Sequence, residues 1–200
     1  MDIPTFITDF ADQAVILPFT AIVGIGLTLA GWYRGAAAWV LAIAATLAFM
    51  LVLKIACLAC GSLIADELHS PSGHTAASAA ALGGFAGLVM RLRTGEWRWT
   101  VPLASAVAIV IGLSRLALHV HTVLEVALAG AVGVLGASAL VLLADRPPRR
   151  LRVAPLLGAA IATVVLLHGV RLPAEGAIKD FAALHLWPLS ACKPAFASLD

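Results

Sequence analysis

Charge is scarce in this chain. Only 12% of its 200 residues are Asp, Glu, Lys or Arg, while 62% are hydrophobic. Soluble domains run nearer a quarter charged and half apolar. With a mean hydropathy of +1.00, the shortage excludes an ordinary water-soluble domain. Basic clusters interleaved with aromatics are missing too, and the net charge is only +2, so no nucleic-acid partner is expected. Three cysteines make no disulfide framework. Cys57 and Cys60 form a Cys-x-x-Cys inside an apolar run. Small side chains packing within a helix are the plain explanation; a redox pair or a bridge to Cys192 is the other. The first residues carry neither a basic region nor a small-residue cleavage site, so no cleavable signal peptide is expected.

What the chain does have is long apolar runs, six of them, at roughly 14–33, 36–60, 75–91, 100–118, 122–144 and 153–170. A helix crosses a bilayer with about 20 apolar residues, and about 17 can suffice. The expectation is an all-α, polytopic membrane helix bundle with about six transmembrane helices over 14–170. The second run is long enough to tilt or project, and the third needs its neighbours. Gly83 and Gly87, and Ala129, Gly133 and Ala137, are small residues four apart that allow close helix approach. Residues 1–13 are not a span: Ile3, Phe6, Ile7 and Phe10 form an apolar stripe with Asp2, Asp9 and Asp12 off it. That pattern predicts a short helix lying in the membrane interface. Residues 171–200, with Pro173, Pro188 and Pro194 around Phe181, Leu184 and Trp187, read as an interfacial tail without assignable chemistry.

Basic residues set the orientation. With six spans, one side receives Arg34, then Arg91, Arg93 and Arg98, then Arg146, Arg149, Arg150 and Arg152. The other side receives Asp2, Asp9, Asp12, Asp66, Glu67, Glu175, Asp180 and Asp200. The basic side is expected to be cytoplasmic. Both polar islands of the chain, 70–75 and 114–125, then face outward.

Those islands hold the candidate chemistry, because charge in apolar surroundings is a functional signal by default. His121 and Glu125 are four apart at the start of the fifth span and share a helix face. A carboxylate beside an imidazole fixes its tautomer and stabilises its cation; a buried histidine with a convenient acceptor has the same pattern. Arg115 ends the fourth span and offers a planar fork of donors to phosphate oxygens, or a snorkelling anchor. Ser72-Gly73-His74 immediately precedes the third span. Free backbone N–H groups at a helix start, and a glycine that allows close approach, suit an anion. Loop-and-cap chemistry explains the same tetrapeptide. Lys54, late in the second span, is a further cation near the outer face or another snorkelling side chain. A metal site built on His119, His121 and Glu125 is a rival, although residues two apart fall on different faces of a helix and Arg115 would sit beside the cation.

Pro71-Ser72-Gly73-His74, followed by Ser114-Arg115-x5-His121-x3-Glu125, resembles the type 2 phosphatidic acid phosphatase family. These are membrane lipid phosphatases that share a core site with vanadium haloperoxidases and glucose-6-phosphatase. The resemblance covers most of residues 14–170. Of the family's three motifs, Lys-x6-Arg-Pro, Pro-Ser-Gly-His and Ser-Arg-x5-His-x3-Asp, the second is complete and the third differs only in Glu125. The first is eroded: after Lys54 the chain reaches Gly61-Ser62, and no Arg occurs before Pro71. Losing one such donor can cost roughly 10²–10³ in rate: either His69 or another cation compensates, or the substrate is unusual, or activity is low.

The resemblance implies that His121 attacks phosphorus to form a phosphohistidine, oriented by Glu125, while His74 protonates the leaving oxygen and then activates water. Ser72, Gly73, Arg115 and Lys54 would hold the phosphoryl oxygens. No metal or other cofactor is implied, since fixed cations take the place of Mg²⁺. The expected partner is a lipid phosphate within the bilayer, in a bacterial inner membrane, with the site facing the periplasm or outside. A polyprenyl diphosphate such as undecaprenyl diphosphate leads; phosphatidic acid, phosphatidylglycerol phosphate and lipid A phosphate are rivals. A lipid phosphotransferase using the same site, a non-catalytic lipid-phosphate-binding protein and a metal-dependent hydrolase remain as alternatives.

Overall fold

The computed structural model describes residues 2–60, 68–148 and 151–186, except for the side chains of 59, 60, 179 and 182–186. Gly61-Ser62 of the eroded motif, the Cys60 side chain, Cys192 and the last prolines therefore lie outside the described residues. Within them the chain is all-α, with no strand.

Its helices are α1 (Ile3–Asp9), α2 (Gln13–Leu29), α3 (Tyr33–Cys60), α4 (Gly73–Ser78), α5 (Gly84–Thr94), α6 (Thr100–Ala117), α7 (Val123–Leu143), α8 (Val153–Leu167) and α9 (Ala174–Leu186). A five-residue π-helical turn, Ala79–Gly83, joins α4 and α5 into one rod. Local chemistry sets several boundaries. Asp12 caps α2 by accepting from the Ala14 amide at 2.8 Å. Thr122 and Glu125 form a reciprocal capping box at the start of α7. Gly95, at φ 77°, takes the left-handed turn that ends α5.

Five segments are long and apolar enough to cross a membrane: Ile3–Leu29, Tyr33–Leu58, Gly73–Thr94, Thr100–Ala117 and Val123–Leu143. The expected sixth span is present as α8, but with 15 residues it is only about 22 Å long against a hydrocarbon core of about 30 Å. The 28 residues of α3 make it about 42 Å long, more than a hydrocarbon core of about 30 Å needs from an upright helix. Exposed Leu29, Leu41, Val52, Ile109, Leu135 and Leu166 make the exterior apolar, as a lipid-facing surface requires.

Helix α7 lies at the centre and packs against α3, α4, α5 and α6, while α8 leans on α2 and α1 on α6. Aromatic weight gathers where Phe19, Trp39 and Phe85 meet at centroid separations of 5.3–6.1 Å. At the basic end, Arg91 donates to the carbonyls of Val141 and Ala144 and so caps α7. Asp145 there accepts from Trp32 Nε1 at 2.6 Å and pairs with Arg34 at 3.5 Å.

The polar face of α1 differs from expectation. Asp9 and Asp12 are buried while Ile3 and Phe6 are exposed. Asp9 turns toward Arg171, which pairs with it at 2.7 and 3.1 Å, and that pairing raises the Arg171 guanidinium above its ordinary range. Asp9 and Asp12 face the protein's own cations and amides, while Asp2 stays exposed.

The small residues do bring helices together. A Cβ on Gly133 would lie 2.6 Å from the Ala76 carbonyl oxygen and 2.7 Å from Ala79 Cβ. Gly133→Ala is therefore expected to cost about 1–3 kcal/mol by overpacking the α4–α7 seam, read as a lower thermal-unfolding midpoint in detergent. Gly158→Ala, where nothing lies within 4 Å, should leave that midpoint unchanged or raise it.

Candidate functional site

Helices α2, α4 and α7 begin, and α3 and α6 end, at the same end of the bundle. The two sequence islands meet there. Glu125, buried in the first turn of α7, organises the junction. Its Oε1 accepts from the backbone amides of His69 at 2.9 Å and Ser70 at 2.5 Å. Its Oε2 lies 2.9 Å from His121 Nδ1 and accepts from the Thr122 amide at 3.2 Å. One carboxylate thus ties the loop carrying Ser72-Gly73-His74 to the turn carrying His121.

The His121 side chain is 2% exposed, and its Nε2 has no hydrogen-bond partner among the described residues. With Nδ1 on the carboxylate, the proton belongs at Nδ1 and the lone pair at Nε2. Burial lowers the His121 pKa below its usual value, Arg115 works in the same direction, and the hydrogen bond to Glu125 opposes both. The ring is neutral at pH 7.

Arg115 is buried at the end of α6. Its guanidinium touches Thr8 Oγ1 at 3.3 Å and lies 3.9 Å from Glu175, while its Nε is unpartnered among the described residues. Lys54 is equally buried, and its Nζ meets Glu175 at 3.3 Å. His74 Nε2 faces Asp12 Oδ2 at 3.8 Å. Asp12 Oδ1 accepts from the amides of Ala14 and Leu172, the latter at 3.0 Å. An added Cβ at Gly73 would meet nothing within 4 Å, so the backbone at the start of α4 is open to a ligand. Ser72 is fully buried as the N-cap of α4, where its Oγ accepts from Thr75 Oγ1 at 2.9 Å. Its hydroxyl serves the helix start first.

The structure brings together six of the seven expected residues as side chains or open backbone around one end, with Ser72 beneath them. His119 is exposed in the turn after α6 with φ 55°. The His69 side chain is exposed too, and only its amide takes part. Residue composition alone missed Thr8, Asp12 and Glu175. Asp12 was detectable in principle as an N-cap before an apolar run, and Glu175 as an acid in the first turn after a proline.

A groove of about 270 Å³ opens beside the cluster, with Lys54, His74 and Glu175 at one end and Leu17, Leu47 and Ile178 along its walls. Buried cations, a histidine on a carboxylate and an apolar trough thus lie together at one end of a bundle of apolar helices. The model of the PAP2 superfamily matches residues 51–149, the stretch from the second half of α3 to just beyond α7. That match, over just under half of the chain, supports phosphatase-type chemistry on phosphate esters. Comparisons with curated proteins and with solved structures returned no match.

Two measurements test this geometry. Glu125→Ala strands the His69 and Ser70 amides together with His121 Nδ1 and should cost about 2–4 kcal/mol of stability, whereas Glu125→Gln keeps an acceptor for the amides and should lose less. Because the folded-state pKa of His121 is lowered, the folded protein binds fewer protons than the unfolded chain between that value and about 6.5. Its contribution is present above about pH 6.5 and lost as pH falls below it. The thermal midpoint of wild type should therefore drop across that window more than that of His121→Phe.

Proposed function

We propose that the protein is an integral membrane phosphatase acting on a lipid phosphate or polyprenyl diphosphate through a phosphohistidine. The observation that carries this reading is His121, held by Glu125 at Nδ1 and bare at Nε2. The Nε2 lone pair forms the N–P bond as the P–O bond to the leaving group breaks. Negative charge moves onto the leaving oxygen, to which His74 gives a proton. Glu125 stabilises the cationic ring that results. Water then attacks phosphorus, His74 takes its proton, and the N–P bond breaks to release phosphate and the free imidazole. Arg115, Lys54 and the open amide end of α4 lower the energy of the phosphoryl oxygens throughout. Asp12 supports the proton transfer by facing the His74 ring.

The apolar groove favours a substrate with a hydrocarbon chain, and a site on the side opposite the arginine-rich loops favours one presented at the outer leaflet of a bacterial inner membrane. A polyprenyl diphosphate meets both conditions, and phosphatidic acid is the first competitor. Lipid phosphotransfer would need the same phosphohistidine with another acceptor in place of water.

Detergent-purified protein should release phosphate from undecaprenyl diphosphate in the presence of EDTA, and His121→Ala should abolish release. Faster turnover of phosphatidic acid would reassign the substrate, loss of activity on chelation would sink the metal-independent mechanism, and equal silence of wild type and variant on both lipids would favour the non-catalytic reading. Since attack needs neutral His121, the acid limb of kcat/KM should lie below about pH 6.5.

A further inference from the structure

Glu175 is an anion in the wrong place for a phosphatase. It lies outside the PAP2-matched residues 51–149, on the first turn of α9. Its two oxygens divide between the two buried cations of the site, Oε1 to Lys54 at 3.3 Å and Oε2 to Arg115 at 3.9 Å. Buried cations without a counter-charge are costly, and a carboxylate between them offsets much of that cost. A phosphoryl group offers the same two-oxygen geometry with more charge. Both cannot sit on Lys54 and Arg115 together, because like charges a few ångströms apart repel strongly in such surroundings.

The helix that carries Glu175 is lightly held. None of its described side chains is buried, and α3 is its principal packing partner. Upstream, Arg171 and Leu172 fasten the chain to Asp9 and Asp12, so α9 can leave the site while its root stays in place. Segments with so little burial open at small free-energy cost.

We propose that α9 is an autoinhibitory strap and that Glu175 is a built-in phosphate surrogate, which a substrate phosphate must displace from Lys54 and Arg115. The proposal rests on reading those two cations as the phosphate seat. It makes affinity for any phosphate equal to the intrinsic affinity reduced by the fraction of molecules with α9 displaced. Anything that draws α9 away, including a membrane surface that takes up Phe181, raises activity without touching the catalytic histidines.

The test is inorganic phosphate binding to full-length protein in detergent, by calorimetry, for wild type and Glu175→Gln. The amide keeps the shape and removes the charge, so phosphate should bind at least about tenfold more tightly to the variant. In wild type, saturating phosphate should also speed amide hydrogen exchange across Ala174–Leu186. A purely structural counter-ion predicts the reverse pattern: a less stable variant, no gain in affinity and unmoved exchange. Equal or weaker binding by Glu175→Gln, or no binding by either protein, overturns the proposal. If the variant does not fold, wild-type exchange decides alone. Neither readout needs lipid turnover. Tightened phosphate binding in a protein that hydrolyses no lipid would keep the strap and discard the phosphatase, and hydrolysis with unchanged phosphate affinity would do the opposite.

Discussion

The carboxylate of Glu125 holds the site together. In a chain this poor in charge, a buried anion persists only when its lone pairs are occupied, and here each oxygen takes two partners. The consequence is geometric as much as energetic. The start of α4 and the turn before α7 belong to different parts of the sequence, yet their relative position is set through one side chain. A glutamate, with its extra methylene, can stand in the first turn of α7 and still reach across to the 69–70 backbone. That reach is a physical reason for the side chain found where the resembling family has aspartate.

Packing below the site serves the same end. The α4–α7 seam is lined by Gly133 against Ala76 and Ala79, so the two rods touch backbone to backbone just beneath the residues that bear the chemistry. Thr75 and Ser72 fix the start of α4 with their own hydrogen bonds. Close packing of small residues resists the small displacements that would separate His74 from His121. The opposite end is stiffened differently, by Arg91 on the last carbonyls of α7 and by Trp32 and Arg34 on Asp145. One of the arginines that mark the basic side, Arg91, thus also acts as a helix cap.

What could be read from the residues followed their separation along the chain. Helix type and approximate bounds came from apolar runs, which are local. His121 and Glu125, four apart, and the Ser72–His74 turn were legible because local spacing dictates local geometry. The pairings of Asp12 with His74 and of Glu175 with Lys54 and Arg115 were not, since they join segments sixty or more residues apart. The same gap explains α1. An amphipathic stripe says which side is apolar, but assumes that water is what the other side faces. Here buried Arg115 and the root of α9 supply the polar surroundings, so Asp9 and Asp12 turn inward. The sixth span came out short because apolar content does not reveal where helical hydrogen bonding stops, and α8 gives way to turn geometry at His168–Gly169.

The start of the chain meets the connection between α8 and α9 beside the site: Phe6 with His168, Asp9 with Arg171, and Asp12 with the Leu172 amide. During synthesis, the stretch from 72 to 125 is in the membrane long before residues 171–175 leave the ribosome. The nascent bundle therefore holds its histidines and Glu125 before Glu175 is there to pair with Lys54 and Arg115. Leu172 and Glu175, which meet Asp12 and the two cations, are made after all of them. Assembly order thus brings Glu175 to a site whose histidines are already in place.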